Sequence, residues 1–317
     1  MGIIYLNRIN CVVRVENGVI MEYREDKEGK ILYVTIKNDL YNRDNDIRKL
    51  IEIQERFLTG DWKSLFILFT DITFIDAAIS VIIGTLPIYA QSVKKNVKYR
   101  FSDEKNHSIL RFMKRVGMYK FYMKKDNEYS GENIIPFDRI KDENQMDEYT
   151  NLIMNYAPIR MTEDAKDILA SYFFEIYQNS FFHANSVVDV FSCGLWNVQK
   201  KEFTFSIYDM GIGIPESIRI NDERQSSLDS ADCLKLAFQE GYTTKNEDEY
   251  KRGLGLSRLL KFIRVNNGSL KLYSSDGYCM IHPDSGSLKF GILEYPIKGT
   301  LFVINIRADE KNIYSIE

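Results

Sequence analysis

The amino-acid sequence predicts an α/β protein with two domains, and three observations support this prediction. The chain has 317 residues, which is enough for about two domains of ordinary size. From residue 31 to residue 116, short apolar segments typical of strands alternate with segments of helical periodicity. Residues 124–150 then change to a composition rich in Lys, Asp, Glu and Asn. We therefore predict a first domain over residues 1–125, a linker region over residues 126–150 and a second domain over residues 137–317, which overlaps the linker.

The composition excludes several classes of protein. Apolar residues make up 44% and charged residues 27% of the chain, as in ordinary soluble globular proteins, and the net charge of −3 does not indicate a nucleic-acid partner. The longest uncharged apolar run, residues 77–90, is too short for a membrane span, and no signal sequence is recognisable. The four cysteines have no CxxC spacing, which argues against a zinc site or a disulfide framework. We expect a cytoplasmic protein without a membrane partner.

The first half is predicted to begin with a small hairpin around Asn17-Gly18, a favourable turn dipeptide between strands at residues 12–15 and 19–23. Apolar periodicity then separates strands from helices, and a covered sheet follows from their alternation. The predicted elements are, in order, a strand at 31–36, a helix at 47–57, a strand at 64–69, a buried helix at 76–90, a strand at 97–101 and a helix at 108–116.

The second half is predicted to begin with a long helix over residues 162–184. Thr162 is a suitable N-cap, and Glu163 and Asp164 suit the positive end of the helix dipole. An apolar stripe defines the buried face of this helix. The elements predicted after it are strands at 187–195 and 203–208, a polar segment at 216–252 with one helix near 231–238, a helix at 256–264, and strands at 269–273, 288–294 and 300–306.

Glu175 and Asn179 are four residues apart on the long helix, so their side chains lie on one face, one turn apart. An asparagine carbonyl suits Mg²⁺, which keeps waters and phosphate oxygens as ligands. A carboxylate beside it can accept a proton from an attacking water. Glu175 is therefore a candidate catalytic residue and Asn179 a candidate metal ligand. A solvated pair on a helix surface is the alternative.

A strand ends at Asp209, and Gly211 and Gly213 follow at alternate positions. Glycine lets the backbone approach a ligand closely. A carboxylate at the end of a strand can accept a hydrogen bond from an amino group such as adenine N6. These three residues are candidate ligand contacts, and an Asp-containing turn is the alternative.

The segment Arg252-Gly253-Leu-Gly255-Leu-Ser257 opens the helix predicted at residue 256. Glycines with free N–H groups at a helix N-terminus form a natural phosphate site. The segment is neither a Walker loop, because GxxxxGK[ST] is absent, nor a Rossmann fingerprint, because the third glycine is missing.

A fourth motif, Gly299-Thr300, begins the last apolar strand. The threonine hydroxyl can bond adenine directly or through water. Taken alone, this dipeptide reads equally as a turn into a strand.

Together the four motifs resemble, in order and at plausible distances, the N, G1, G2 and G3 boxes of the GHKL (Bergerat-fold) ATPase/kinase superfamily. The resemblance covers roughly residues 137–310 and implies an α/β sandwich, with a mixed sheet covered by helices on one face. It implies that Asn179 binds Mg²⁺ and that Asp209 recognises the adenine of ATP. Further roles implied are close passage of the nucleotide by Gly211 and Gly213, phosphate binding by Gly253 and Gly255, and support of adenine by Thr300.

The polar segment 216–252 is similar to the ATP lid of that superfamily, a segment that closes over phosphates and gates function. Lys245, with Thr243 and Thr244, is a candidate for closure or phosphate contacts, and Arg252 is a further candidate nucleotide contact. A solvated loop is the alternative for this segment.

Residues 31–123 resemble a STAS-like domain, on the stretch 69–84, FTDITFIDAAISVIIG. STAS domains act as anti-sigma antagonists when a serine just after the aspartate is phosphorylated. Here Ala77 and Ala78 follow Asp76, and Ser80 is out of helical phase and is expected to pack inside the helix. The resemblance therefore implies a docking or sensing role, and an unrelated α/β domain is the alternative.

We predict an Mg²⁺–ATP-binding protein that acts as a slow ATPase and nucleotide-driven regulatory switch. The first alternative is an anti-sigma-type serine/threonine kinase that phosphorylates a partner protein, and the second is an interaction module without nucleotide binding. No domain that would supply a catalytic lysine follows the last motif, so we expect a partner protein or a homodimer to complete the site. Histidine autophosphorylation is not expected, because His107 is followed by Ser108 rather than by an acid.

Overall fold

The computed structural model describes residues 10–16, 19–101, 113–123, 133–156, 162–183, 186–242, 255–281 and 286–307. Two five-stranded β-sheets organise these residues. A layer of two helices lies between the sheets, and further helices cover the outer face of the second sheet. The protein is therefore mixed α/β, as predicted.

The first sheet has the strand order β1-β2-β3-β4-β5. Its strands β1–β3 form an antiparallel meander, and β3, β4 and β5 are parallel. The parallel pairs need crossover connections, which α1 and α2 supply. The elements are β1 (Asn10–Glu16), β2 (Val19–Asp26), β3 (Ile31–Lys37), α1 (Asp44–Thr59), β4 (Ser64–Thr70), α2 (Ala77–Ser92) and β5 (Asn96–Phe101). The predicted alternation of this half is confirmed, except that the helix predicted at 108–116 lies mostly outside the described residues.

The second sheet has the order β6-β7-β8-β10-β9, and each of its neighbouring pairs is antiparallel. The prediction of a mixed sheet in this half is therefore wrong. That prediction came from the family resemblance, since apolar periodicity locates a strand but carries no information about the direction of its partner. The strands are β6 (Ile134–Ile140), β7 (Val190–Asn197), β8 (Glu202–Asp209), β9 (Ser269–Ile281) and β10 (Leu288–Arg307).

Two regions of the second sheet differ from the predicted segmentation. The strands predicted at 288–294 and 300–306 form one strand, β10, whose register shifts twice between Ile292 and Thr300. The strand β6 and the helix after it lie largely within residues 126–150, where the sequence predicts a linker region. The polar composition of that region therefore coexists with regular structure.

The helices that follow β5 are α3 (Met118–Met123), α4 (Glu143–Tyr156), α5 (Glu163–His183), α6 (Ile214–Asn221), α7 (Ser230–Ala237) and α8 (Gly255–Val265), with a 3₁₀ turn at Glu223–Gln225. On one face of the second sheet lie α4, α5 and α8, and α7 packs beside the β9–β10 hairpin. The opposite face is covered by α1, which packs on β10, and by α2, which packs on β7 and β8. Helices of both halves therefore cover this sheet, which corrects the prediction of helices on one face.

Alternation along β8 and β10 explains how one sheet serves two cores. Successive side chains of a strand point to opposite faces. Tyr208 and Leu301 belong to the core that contains α1 and α2, whereas Phe205 and Ile304 belong to the core beneath α5 and α8. Because α2 is apolar around its whole circumference, it needs a covering layer on both sides, and the second sheet provides one.

Asp76 and Ser80 lie at the start of α2. Ser80 is fully buried, and its hydroxyl donates a 3.0 Å hydrogen bond to the Asp76 carbonyl. The expectation that Ser80 packs inside the helix is therefore confirmed. Asp76 caps α2 by accepting a 2.7 Å hydrogen bond from the Ala77 N–H. Over the part of the chain that the structure describes, no helix is long and apolar enough to cross a membrane.

Candidate functional site

Asp209, Thr300 and Ser274 form a buried polar row across three adjacent strands. Thr300 of β10 is the direct cross-strand partner of Asp209 on β8 and of Ser274 on β9. Asp209 is 2% exposed, Thr300 4% and Ser274 0%. The hydroxyl oxygens of Ser274 and Thr300 are 2.8 Å apart. The structure thus brings together two residues that the sequence singled out, Asp209 and Thr300, and adds Ser274.

The Asp209 carboxylate is held by three donors of the protein. Its Oδ1 accepts a 3.0 Å hydrogen bond from the Gly211 N–H, and the Ser180 hydroxyl and the Thr300 N–H also donate to the carboxylate. Burial raises the pKa of Asp209 to about 7, although these hydrogen bonds oppose the shift. An ionised carboxylate offers about four acceptor positions, so capacity for one further donor remains.

The loop after Asp209 is fastened to β9. The Ile214 N–H donates a 2.8 Å hydrogen bond to the Ser274 hydroxyl, and the Ser275 hydroxyl donates to the Ile212 carbonyl at 3.2 Å. Gly213 has a φ of +86°, and a Cβ there would lie 2.5 Å from the Ser275 Oγ. Glycine at 213 is therefore required by this turn itself, whether or not a ligand approaches it.

At Gly299, the backbone of β10 closely approaches the backbone of β8 in the same site. The φ of Gly299 is also +86°, and a Cβ would lie 2.0 Å from the Asp209 carbonyl oxygen. A side chain at this position would push β10 away from β8. The Gly-Thr dipeptide of the fourth motif is thus what allows Thr300 to pair with Asp209.

Helix α5 meets the polar row through Ser180. The buried face of α5 includes Phe173, Ile176 and Tyr177 and continues to Ser180. Sequence reasoning missed Ser180, although a polar residue seven positions after Phe173 on an apolar stripe was a usable signal. Because Ser180 donates to Asp209, its neighbour Asn179 lies close to the row.

Glu175 and Asn179 occupy the edge of the same helix. Glu175 is half-buried and Asn179 is exposed, and their spacing places them on one face, about 6 Å apart along the helix axis. The structure places both residues in α5, as the sequence predicts. Asn179 is the more exposed member of the pair.

Helix α8 packs beside α5, and the ring centroids of Phe262 and Tyr172 are 6.4 Å apart. Burial raises the pKa of the Tyr172 phenol, the charges of Arg258 and Lys261 oppose this rise, and the charge of Glu175 adds to it. Both Arg258 and Glu175 therefore lie within electrostatic range of one phenol. The helix that follows the second glycine motif thus borders the turn of α5 that carries Glu175.

The described residues include the end of the predicted phosphate side. Gly255 is the first residue of α8. Thr243, Thr244, Lys245, Arg252 and Gly253 lie outside the described residues, and so does His107.

The described portion of the predicted lid, residues 216–242, is more structured than expected. It contains most of α6, the 3₁₀ turn and α7, where the sequence predicted one helix. Ser230, at the start of α7, donates a hydrogen bond to Asp276 of β9 and accepts one of 2.9 Å from Arg219 of α6. These contacts attach the base of the segment to the second sheet.

The donor set determines whether a magnesium ion suits the site. Within the described ranges, no group of three or more His, Cys, Asp or Glu side chains is arranged to hold a metal. Mg²⁺ bound with a nucleotide needs only one or two protein ligands, because water and phosphate oxygens complete its shell. An exposed asparagine on the helix that adjoins the polar row fits that requirement.

The site therefore combines a buried carboxylate that has spare acceptor capacity, a paired threonine and serine, and an acid–amide pair on the adjoining helix. Its elements come from three strands and one helix of the second half. No model of a known protein family matches the chain, and the comparison with curated proteins found no match either.

Proposed function

We propose that the second half of the chain binds Mg²⁺–ATP and hydrolyses it slowly, as a nucleotide-driven regulatory switch. The observation that carries this proposal is the buried Asp209 carboxylate, which already has three protein donors and, when ionised, retains acceptor capacity for a further one. The exocyclic amino group of adenine is a donor of the required kind. Order and spacing of the four motifs support the same ligand.

The adenine end of the nucleotide would lie against the polar row. Asp209 would accept a hydrogen bond from the adenine amino group. Thr300, whose hydroxyl is held by Ser274 at 2.8 Å, would bond the ring directly or through one water. Because both hydroxyls are fixed before a ligand arrives, little side-chain entropy is lost on binding.

The phosphate end would lie toward the start of α8. Backbone N–H groups near Gly253 and Gly255 and the positive end of the helix dipole favour phosphate there. Lys245 and Arg252 are candidate cationic contacts. Asn179 would hold Mg²⁺ through its amide oxygen, and the ion, when bound, neutralises phosphate charge.

Glu175 would act as the general base. It lies one helical turn before Asn179, so a water near the terminal phosphate is within reach of its carboxylate if Asn179 holds the metal. In this function Glu175 accepts a proton from the attacking water. We expect slow turnover that rises with protein concentration or with an added partner, if a second copy or a partner protein completes the site.

The test uses γ-labelled ATP and Mg²⁺ with the full chain and three variants. Glu175→Gln should bind ATP but release phosphate about 100-fold more slowly, and Asp209→Asn should bind ATP weakly. Glu163→Gln is the matched control, because it makes the same change at an exposed position of the same helix. Wild-type turnover should equal that of the control.

The destination of the label separates the candidate functions. Label released to water supports the switch. Label found on a protein hydroxyl supports the serine/threonine kinase instead, with a partner as substrate, since Ser80 is buried. A wild-type chain that neither binds nor turns over ATP would make the proposed function wrong.

A further inference from the structure

A helix of the first half reaches the residue that precedes Asp209. Gln54 of α1 is 1% exposed, and its Nε2 donates a 2.8 Å hydrogen bond to the Tyr208 hydroxyl. Its Oε1 accepts a 3.0 Å hydrogen bond from the Lys298 N–H. The Tyr208 hydroxyl donates in turn to the Lys298 carbonyl at 2.9 Å. Three hydrogen bonds thus close a ring, here called the Gln54 ring, between α1, β8 and β10.

The Gln54 ring lies on the opposite face of the sheet from the polar row. Tyr208 and Asp209 are consecutive on β8, so their side chains point to opposite faces. Lys298 precedes Gly299, whose backbone lies so close to the Asp209 carbonyl that a Cβ would not fit between them. A shift of the Lys298 peptide would therefore move Thr300 relative to Asp209.

Water cannot easily replace the hydrogen bonds of the Gln54 ring, because the side chains of Gln54 and Tyr208 are buried in the core. Both amide atoms of Gln54 are satisfied by the ring, and loss of either partner would leave a buried polar group without a hydrogen bond. Burial also raises the pKa of the Tyr208 phenol, so the hydroxyl keeps its proton and remains a donor. The arrangement is thus constant across the physiological pH range.

A second polar contact between the halves provides a comparison. Asn42 donates to the Thr204 hydroxyl at 3.3 Å and to the Asn305 amide oxygen at 3.0 Å. Thr204 and Asn305 are cross-strand partners on the same pair, β8 and β10. They lie five residues from Asp209 and Thr300, about 16 Å along the strands. The Asn42 contact is thus farther from the polar row than the Gln54 ring, and Asn42 is half-buried and precedes α1, whereas Gln54 is buried within it.

We propose that Gln54 is a positioning residue for the adenine side of the site, and that through it α1 is coupled to nucleotide affinity. This inference rests on the proposed function. Gln54 does not touch the nucleotide; it holds the peptide that places Thr300 opposite Asp209. Coupling between sites is reciprocal. ATP binding should therefore stabilise the packing of α1 through Gln54 by the same free energy by which that packing favours ATP binding.

The test compares wild type, Gln54→Met, Gln54→Glu and the matched control Asn42→Ala. Dissociation constants for Mg²⁺–ATP and Mg²⁺–GTP and the thermal midpoint are measured for each. Gln54→Met should weaken ATP binding about tenfold, within the usual range of coupling between sites. GTP binding should change little, because guanine has a carbonyl where adenine has its amino group, so the preference for ATP should fall.

The remaining variants separate positioning from stability. Gln54→Glu keeps an acceptor for the Lys298 N–H and should restore part of the preference for ATP. Asn42→Ala should lower the thermal midpoint without changing that preference. If Gln54→Met has the wild-type preference for ATP while its midpoint falls as in Asn42→Ala, the inference is wrong.

Hydrogen exchange on wild type avoids the risk that a variant fails to fold. ATP should slow exchange of α1 amides near Gln54 more than of amides near Asn42. Equal protection at both places would also contradict the inference. If wild type binds no ATP at all, the proposed function fails and this inference fails with it. ATP binding that is unaffected by Gln54 contradicts the inference alone.

Discussion

Thr300 stands directly opposite Asp209 in the β8–β10 pair, and its backbone N–H donates a hydrogen bond to the Asp209 carboxylate. The two residues are 91 positions apart in the chain, yet each is part of the other's immediate surroundings. The pairing makes Asp209 a buried acid with a defined set of donors. Four predictions follow from its geometry and from that of its neighbours.

The affinity for ATP should depend on the ionisation of Asp209. The ionised carboxylate is a better acceptor for the adenine amino group than the protonated acid, because protonation occupies an acceptor position. Burial raises the pKa of the Asp209 carboxyl to about 7. The association constant should therefore rise with pH below about 7, by at most about tenfold per pH unit, and level off above it. Isothermal titration between pH 5.5 and 8.5 measures this dependence.

Phosphate groups titrate in the same range, so the comparison is made with Asp209→Asn. The variant should bind ATP weakly and with a flatter dependence on pH. If wild type and variant change in parallel, Asp209 is not the titrating group.

The free energy of unfolding should also report Asp209. The pKa is about 7 in the folded chain and near the ordinary value of 3.8 in the unfolded chain, so the folded state binds more protons between these values. The contribution of Asp209 is therefore most favourable below pH 3.8 and is lost as the pH rises through 7. The loss is on the order of 4 kcal/mol at most. Relative to Asp209→Asn, wild type should lose free energy of unfolding in urea as the pH rises toward 7. A difference between the two proteins that is independent of pH would contradict the assignment.

Ser274→Ala should destabilise the site more than Ser275→Ala. The Ser274 hydroxyl is fully buried and bonds both the Thr300 hydroxyl and the Ile214 N–H. Its removal leaves buried polar groups without a partner and should cost about 1–3 kcal/mol in the free energy of unfolding. Ser275 is half-buried and its hydroxyl donates to one carbonyl, so it is the neighbouring control. Equal losses in chemical denaturation would show that the polar row has no special energetic role.

Gly299→Ala should be much more harmful than Gly241→Ala. Both glycines have a positive φ, +86° and +82°, so both variants carry the cost of a left-handed alanine, about 1–2 kcal/mol. A Cβ at 299 would also lie 2.0 Å from the Asp209 carbonyl oxygen, whereas a Cβ at 241 would have no neighbour within 4 Å. We expect Gly299→Ala to exceed the control by at least about 2 kcal/mol in thermal or chemical unfolding. A similar loss in both variants would place β10 farther from β8 than described.

Local patterns predicted much of the scaffold because they report burial along one segment. Short apolar segments located β3, β4 and β8, and helical periodicity located α1 and α5 within a few residues. The strand end at Asp209 and the Gly-Thr step at Thr300 were visible as motifs. The roles assigned to them as nucleotide contacts remain predictions.

Other parts of the site were not predicted from the sequence. Ser180 is a polar residue on the apolar stripe of a helix, and Ser274 reads as one more residue of a strand. Each becomes a site residue only because a distant segment is placed against it. The strand β6 is also missed by the sequence-based prediction, because it lies within the polar stretch that is predicted to be a linker.

By itself, the sequence determined most of the strands and helices and which of their faces need cover. The tertiary structure decided what covers them: α1 and α2 lie between both sheets, and the second sheet is antiparallel. The physical reason is that hydrophobic periodicity requires burial without specifying the partner. The contact between Gln54 and Tyr208, 154 residues apart, is set by the packing of one half on the other and by nothing in either segment alone.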